Sequence, residues 1–334
     1  MPYSRKINTN PKKRKAMNYK IILTICLIFF QLNLISAQND SQTRSYIRTV
    51  PVGKETTLEI ENKYGTIQIT PWNKDSAYIR AEVKAFAKDH SKIEKMFDGI
   101  SVNIKDSKYI VRAQTEFTSN INTLFESFKG MTSKIISYDS HVEINYYINI
   151  PDYLNLKIDN KFGDVYMEDN TGEFKITISN GSFKANSLGK KSSITMVFCD
   201  AKIHSIASGN IDASFSEIAL DETEDLSVNS ISSKYEIKNA GVLRGESRRD
   251  KFFIETIESL EGNAYFTDYN VSTVRKELNL TTRYGSVNAD LIEKGFESVD
   301  INSSYSDVSL RFERKQPNCR WGRGCTSTRT AAAG

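Results

Sequence analysis

Leu278-Asn279-Leu280-Thr281-Thr282-Arg283-Tyr284-Gly285-Ser286-Val287-Asn288-Ala289-Asp290-Leu291 decides how this chain folds. Leu278, Leu280 and Thr282 alternate with polar residues before the Tyr284-Gly285 pair, and Val287, Ala289 and Leu291 alternate after it. Period-two alternation on both sides of a turn describes two strands that each bury one face. Fourteen residues cannot bury that face alone, so the question is whether the chain supplies partners of the same kind.

It does. An apolar anchor, a turn and a second apolar residue nine places on recur at Leu58, Leu156, Phe174, Ile194, Gly209, Leu226, Leu243, Leu260, Leu278 and Val299, with Gly209 lacking a side chain. The later positions are Ile67, Val165, Phe183, Ile203, Ile218, Tyr235, Phe252, Tyr269, Val287 and Val308, all apolar or aromatic in a chain that is 39% hydrophobic. Repetition at this interval is the mark of units that stack to share a core. The spacing is too short for a strand-helix-strand unit, which needs about 30 residues. We therefore expect an all-β protein, a right-handed β-solenoid of about nine to ten short units. Ile67, Phe183, Ile218, Val287 and Val308 should line up inside it as one column.

The turn carries its own chemistry. Six places after the anchor stands an aromatic at Tyr64, Phe162, Phe215, Phe266, Tyr284 and Tyr305. The residue seven places after the anchor is often glycine (Gly65, Gly163, Gly181, Gly285), which reads as the source of the positive φ a tight bend requires. The aromatics should then stack as a ladder along one corner.

Before the solenoid, residues 38–151 form a β-rich part whose unit at Leu58 makes it a natural cap for one end. His90 to Phe97 places Ile93, Met96 and Phe97 on one face of a short helix stopped by Gly99, and 115–137 loses alternation and reads as a flexible loop. The solenoid occupies 152–313. From Arg314 the composition changes abruptly, and 314–334 reads as a disordered or anomalous tail. At the other extreme, 1–37 reads as a secretory signal peptide: an apolar run from Ile21 to Ile35, with Ile35-Ser36-Ala37 as the cleavage site and residues 1–16 as an over-read. The run is too short for a transmembrane anchor, which needs about 20 residues. The expected location is therefore extracytoplasmic, in the periplasm or at the cell surface, with no stable membrane anchor after cleavage.

The net charge of +4 arises from that leader. Without its seven basic residues the chain holds 38 basic against 41 acidic side chains, so the electrostatic footprint of a nucleic-acid binder is missing. Four cysteines are too few for a disulfide scaffold, with only Cys319 and Cys325 placed to pair.

LEIENKYGTIQI, LKIDNKFGDVYM and LNLTTRYGSVNA resemble the bacterial putative-adhesin family of β-strand repeats, the Toastrack-like proteins exported by Bacteroidetes. The resemblance spans roughly 45–312 and implies a non-catalytic, extracytoplasmic solenoid with no cofactor and no catalytic residue to carry over. The residues themselves agree in offering no metal-ligand spacing among His90, His141 and His204, no nucleophile elbow and no phosphate loop.

Three basic residues, Arg244, Arg248 and Arg249, lie in or beside one turn together with Asp250 and are the candidate contacts for a carboxylate or sulfate of a glycan. Asp221, Glu222, Glu224 and Asp225 form an acidic loop that lacks the glycine and spacing of a calcium site. The reading is an envelope or surface protein acting as a scaffold or adhesion module through its lateral face, its partner an envelope protein or a glycan. Two alternatives stand beside it. A polysaccharide lyase on a β-helix would bring the three arginines together with a carboxylate in one groove, and a self-assembling scaffold would polymerise end to end.

Overall fold

A computed structural model of the chain describes residues 40–118, 140–189 and 191–313. The expected signal peptide, most of the expected flexible loop, the 314–334 tail and the expected Cys319 and Cys325 pairing lie outside the described residues. The chain is a β-solenoid. Its turns are built from β8 (Asn155–Lys161), β9 (Val165–Met167), β10 (Phe174–Leu188), β11 (Ser192–Ser214), β12 (Glu217–Ile231), β13 (Lys234–Arg248), β14 (Lys251–Tyr265), β15 (Asp268–Arg283), β16 (Ser286–Ile292), β17 (Ser298–Ser304) and β18 (Asp307–Phe312). Consecutive turns pair in parallel, residue on residue.

Register makes the repeat exact in space. The first face of the coil stacks Leu58, Leu156, Phe174, Ser192, Gly209, Leu226, Leu243, Leu260, Leu278 and Val299 in one column. The second face stacks Ile67, Val165, Phe183, Ala201, Ile218, Tyr235, Phe252, Tyr269, Val287 and Val308. The fourth unit therefore begins at Ser192 and not at Ile194, with Ala201 in place of Ile203. Apolarity alone misplaced it by two residues, because both small positions are buried yet neither is strongly hydrophobic.

Ile67, Phe183, Ile218 and Val287 are at most 2% exposed, whereas Val308 is 41% exposed because no described coil stacks beyond it. Leu291 is only partly buried and Ile292 is buried instead. The chain bends there onto a short third side, whose interior column runs Ile206, Thr223, Ala240, Ile257, Val274 and Ile292.

The N-terminal part extends both faces. β2 (Thr57–Lys63) lies between β8 and β6 (Ile110–Phe117), and β3 (Ile67–Pro71) between β9 and β7 (Ser140–Ile150), all parallel. Beyond them the pairing turns antiparallel, with β4 (Ser76–Ala87) between β7 and β1 (Asp40–Pro51), and β5 (Ile100–Asp106) on β6. Thr115 to Phe117, expected in a loop, are held in β6: the Thr115 hydroxyl lies 2.8 Å from the Tyr146 hydroxyl, and the Phe117 ring meets Tyr64 edge-on at 6.0 Å.

Between β4 and β5, α1 (His90–Asp98) is capped by the Asp89 carboxylate, which accepts from the Ser91 amide. It buries Ile93 and Phe97 against the N-terminal end of the core. Gly99 ends it at φ −97°, without a left-handed cap.

The corner after the first face follows one rule. Tyr64, Phe162, Asn180, Phe198, Phe215, Ser232, Arg249, Phe266, Tyr284 and Tyr305, each six places after its column residue, all have φ between 51° and 65°. The glycines that follow are not the residues in the left-handed region. They are required by close approach instead: a Cβ on Gly163 would lie 1.9 Å from the Gly65 carbonyl oxygen, and one on Gly181 2.0 Å from that of Gly163.

Where the following residue is not glycine, its side chain closes the corner. The amides of Cys199, Ser216, Ser233 and Asp250 donate to Ser216 Oγ, Ser233 Oγ, Asp250 Oδ1 and Thr267 Oγ1 on the next coil at 3.1, 3.3, 2.6 and 3.4 Å.

A left-handed conformation costs a bulky residue about 1–2 kcal/mol. Ring stacking returns about 0.5–1.5 kcal/mol per pair. Tyr64 stacks on Phe162 at 5.5 Å, Phe198 on Phe215 at 5.0 Å, and Phe266, Tyr284 and Tyr305 on one another at 5.0 and 5.2 Å. The ladder is broken at Asn180 and at Ser232 and Arg249.

Candidate functional site

The arginine-bearing strand β13 separates the three basic candidates. Arg244 and Arg248 share the outer surface of the first face, four residues and so roughly 13 Å apart. Arg244 is held between Asp225 at 2.5 Å and Glu261 at 3.7 Å on the neighbouring coils. Arg249 is the left-handed corner residue, exposed and outside that face.

Asp250 belongs to none of them. Its carboxylate is 1% exposed and turned into the corner, where it accepts from Ser230 Oγ at 2.6 Å, Ser247 Oγ at 2.7 Å, the Ser233 amide at 2.6 Å and the Arg248 amide at 2.9 Å. Four donors replace the water that burial removes, so the group is a corner brace and is unavailable to a ligand.

Arg248 does line a depression of about 520 Å³ across β12 to β17. Register explains its composition. One outer column runs Asn229, Glu246, Asn263, Thr281 and Asn302, and the next runs Ile231, Arg248, Tyr265, Arg283 and Ser304. The Tyr265 ring is half exposed, with the Arg283 guanidinium 5.7 Å from its centroid. Amides that donate and accept, two guanidinium groups and an aromatic surface on a flat, rigid sheet are groups that hold hydroxyls and carboxylates of a sugar chain.

Tyr265, Arg283 and the asparagine column were not singled out from the sequence. The usable signal was the 17-residue spacing of Asn229, Glu246 and Asn263, which places them side by side once the coil length is known.

Elsewhere the charged groups answer one another across coils. Asp221 is gripped by Lys238 at 2.7 Å and His204 at 3.1 Å, which together hold its carboxyl below the usual range. Glu59 is held low in the same way by Arg112, helped by Lys157. His141 stacks on Phe86 at 4.2 Å, and His90 lies 3.1 Å from the Gln42 amide. Asp221, Glu222, Glu224 and Asp225, expected in a loop, lie within β12, where Asp221 and Asp225 turn to different basic partners. Among the described residues no group of three or more His, Cys, Asp or Glu side chains could hold a metal ion. No helix among them is long and apolar enough to cross a membrane.

Most of the corner aromatics are half exposed, from 44% at Phe162 to 58% at Phe198, with Tyr305 at 83% and Tyr64 only partly exposed. Their stacking along the solenoid axis turns ring edges outward and hides the faces against one another. A sugar stacks on faces, so the ladder is mainly packing, with the outer face of Tyr305 open at the last described coil.

No protein-family model and no curated protein matches the chain. Solved structures do align over most of it. A putative adhesin from Parabacteroides merdae covers 79% of this chain and 96% of its own at 9% identity and a TM-score of 0.40. A putative lipid binding protein from Parabacteroides distasonis covers 82% and 98% at 11% identity and 0.38. A putative adhesin from Bacteroides fragilis covers 80% and 97% at 12% identity and 0.35. At such identities and scores, nothing of what these proteins do passes to this chain. The described residues form a β-solenoid, the fold class implied by the motifs that resemble the Bacteroidetes putative-adhesin repeats.

Proposed function

We propose that the protein is a non-catalytic, extracytoplasmic binding module that holds a glycan of the cell envelope or of a neighbouring surface across the first face of its solenoid. The observation that carries this reading is the depression beside Arg248, in which Tyr265, Arg283 and the Asn229 and Asn263 amides form a continuous array over successive coils. Parallel coils keep such groups roughly 4.8 Å apart. The array is therefore preorganised for an extended chain and loses little conformational freedom on binding. The leader-like segment at 1–37 supports the location.

Arg244, neutralised by Asp225 and Glu261, contributes to the edge of this surface, and Arg249 contributes from the corner only if the ligand wraps around it. Titration calorimetry of the purified protein against neutral and uronate-containing polysaccharides tests the reading. Tyr265→Ala, Arg248→Ala and Arg283→Ala should each weaken binding about tenfold, the scale of one lost aromatic or charge-assisted contact, while Lys238→Ala on the second face leaves it unchanged. Binding that survives the triple variant overturns the assignment of the site. Release of unsaturated oligosaccharides would make the protein a lyase and overturn the non-catalytic reading.

A further inference from the structure

The two ends of the solenoid are finished differently. At one end α1 lays Ile93 and Phe97 over the core. At the other, among the described residues, β17 pairs only with β15 and β18 only with β16, so each presents an unpaired outer edge. The residues that should be interior there are not covered: Val308 is 41% and Phe312 44% exposed, and Val299, Ile301 and Leu310 are only partly buried. An exposed strand edge with apolar residues is a template for another strand. Residues 314–334, RKQPNCRWGRGCTSTRTAAAG, have no alternating apolar run with which to supply one.

The edge of β18 specifies its own partner. The Asp307 amide donates to the Gly285 carbonyl and the Glu313 amide to the Ile292 carbonyl, so alternate residues from Asp307 onward spend their backbone groups on β16. Val308, Leu310 and Phe312 then aim theirs at the open side. Asp307-Val308-Ser309-Leu310-Arg311 is self-complementary about Ser309: acid, apolar, small, apolar, base.

From these observations we infer that two copies of the chain join tail to tail, β18 antiparallel to β18 about a two-fold axis at Ser309. In that register Val308 and Leu310 of opposite copies form the hydrogen-bonded pairs, with their side chains continuing the two interior columns. Asp307 faces Arg311 of the other copy twice, in the non-hydrogen-bonded pairs where side chains come closest. Because the contact is isologous, with the same edge of both copies consumed in it, the assembly closes at two and does not grow into filaments.

Equilibrium sedimentation of the purified full chain tests this. The expected result is a dimer at micromolar concentrations. Asp307→Arg and Arg311→Asp, both at exposed positions, should each raise the dissociation constant at least tenfold by setting like charges opposite one another twice per dimer. Mixing these two variants in equal amounts should restore a heterodimer, because one copy then carries two bases and the other two acids. That recovery also shows both variants to be folded. A native chain that stays monomeric, whatever segment covers the edge, overturns the inference. Filaments overturn it as well, as does dimerisation indifferent to the two substitutions or a mixture that fails to recover. The lateral glycan site is untouched by these variants, so the outcome is independent of the proposed function.

Discussion

Asp250→Ala removes the brace at the corner of β13 and β14, and the structure allows its cost to be worked out. Four donors lose their acceptor. The Ser247 hydroxyl can turn to Thr267 Oγ1, 2.8 Å away, and the buried Ser230 hydroxyl can rotate about its own C–O bond. The amides of Ser233 and Arg248 cannot turn. Two buried donors left without a partner cost about 1–3 kcal/mol each, partly offset by no longer burying a carboxylate, so a net loss of about 3 kcal/mol is expected.

Asp250→Ser gives the sharper comparison. At the same position two coils earlier, Ser216 Oγ accepts from the Cys199 amide and donates to the Ser214 carbonyl, and Ser233 Oγ repeats the pattern with Ser216 and Ile231. A serine at 250 should accept from Ser233 in the same way and leave only the Arg248 amide unpaired, costing about 1–2 kcal/mol. Urea unfolding followed by far-ultraviolet circular dichroism measures both, and amide exchange at Ser233 reports the bond itself. Equal losses for the two variants, or a loss below about 1 kcal/mol for alanine, would refute the idea that the corner is held by a side-chain relay between coils.

Gly163→Ala should destabilise the protein by more than about 3 kcal/mol, because its Cβ would meet the Gly65 carbonyl at 1.9 Å, whereas Gly53→Ala, with open space around it, should change the urea midpoint little. Ser232→Gly relieves a left-handed residue that has no stacked ring and should stabilise by about 0.5–1 kcal/mol; Tyr284→Gly relieves the same strain but loses stacking on both sides, and its urea midpoint should fall. Glu59 is held below its ordinary value by Arg112 and Lys157, so it adds stability above the unfolded carboxyl range near pH 4.5 and loses it as pH falls through its lower folded value; Glu59→Gln should lower the urea midpoint at pH 7 by an amount that shrinks as pH falls. One residue inserted between Lys294 and Gly295 should be tolerated, while one inserted between Leu280 and Thr281 should cost several kcal/mol, by scanning calorimetry, because it turns Thr282 outward and drives the next polar residue into the core.

Much of the fold was legible because strand alternation and coil length are written in neighbouring residues. Nine of ten units were placed, eight by apolar anchors and the one at Gly209 by Ile218, and the fourth was missed where Ser192 and Ala201 occupy buried columns that hydrophobicity does not mark. The owner of the positive φ was misread, since glycine is the usual bearer and here an aromatic takes it while glycine answers the carbonyl of the next coil. The site was less legible for a related reason. Arg248 was found as one of a run of charges, but its true neighbours are Ile231 and Tyr265, 17 residues away on either side. Adjacency along the chain grouped it with Arg249 and Asp250, which the corner sends to other surroundings.

Coil length itself shows how such a face is kept in order. From each column residue to its left-handed corner is six residues in all ten turns, whereas the return from corner to next column residue takes 11 at Phe198, 12 at Phe162 and 15 at Tyr284. The excursion through β4, α1 and β5 adds its length before β6 and β7 lay a further coil on the two faces beside β2 and β3. Across these ten turns every change in length thus falls on the return after the second column, and the first face keeps its register. A surface whose columns stay aligned through every insertion can be altered one coil at a time without disturbing its neighbours, since each exposed side chain there answers only to the coil before and the coil after. That property suits recognition of a repeating polymer, whose units can meet successive coils. It also confines variation in shape to the short third side, where loops can lengthen without cost to the shared core.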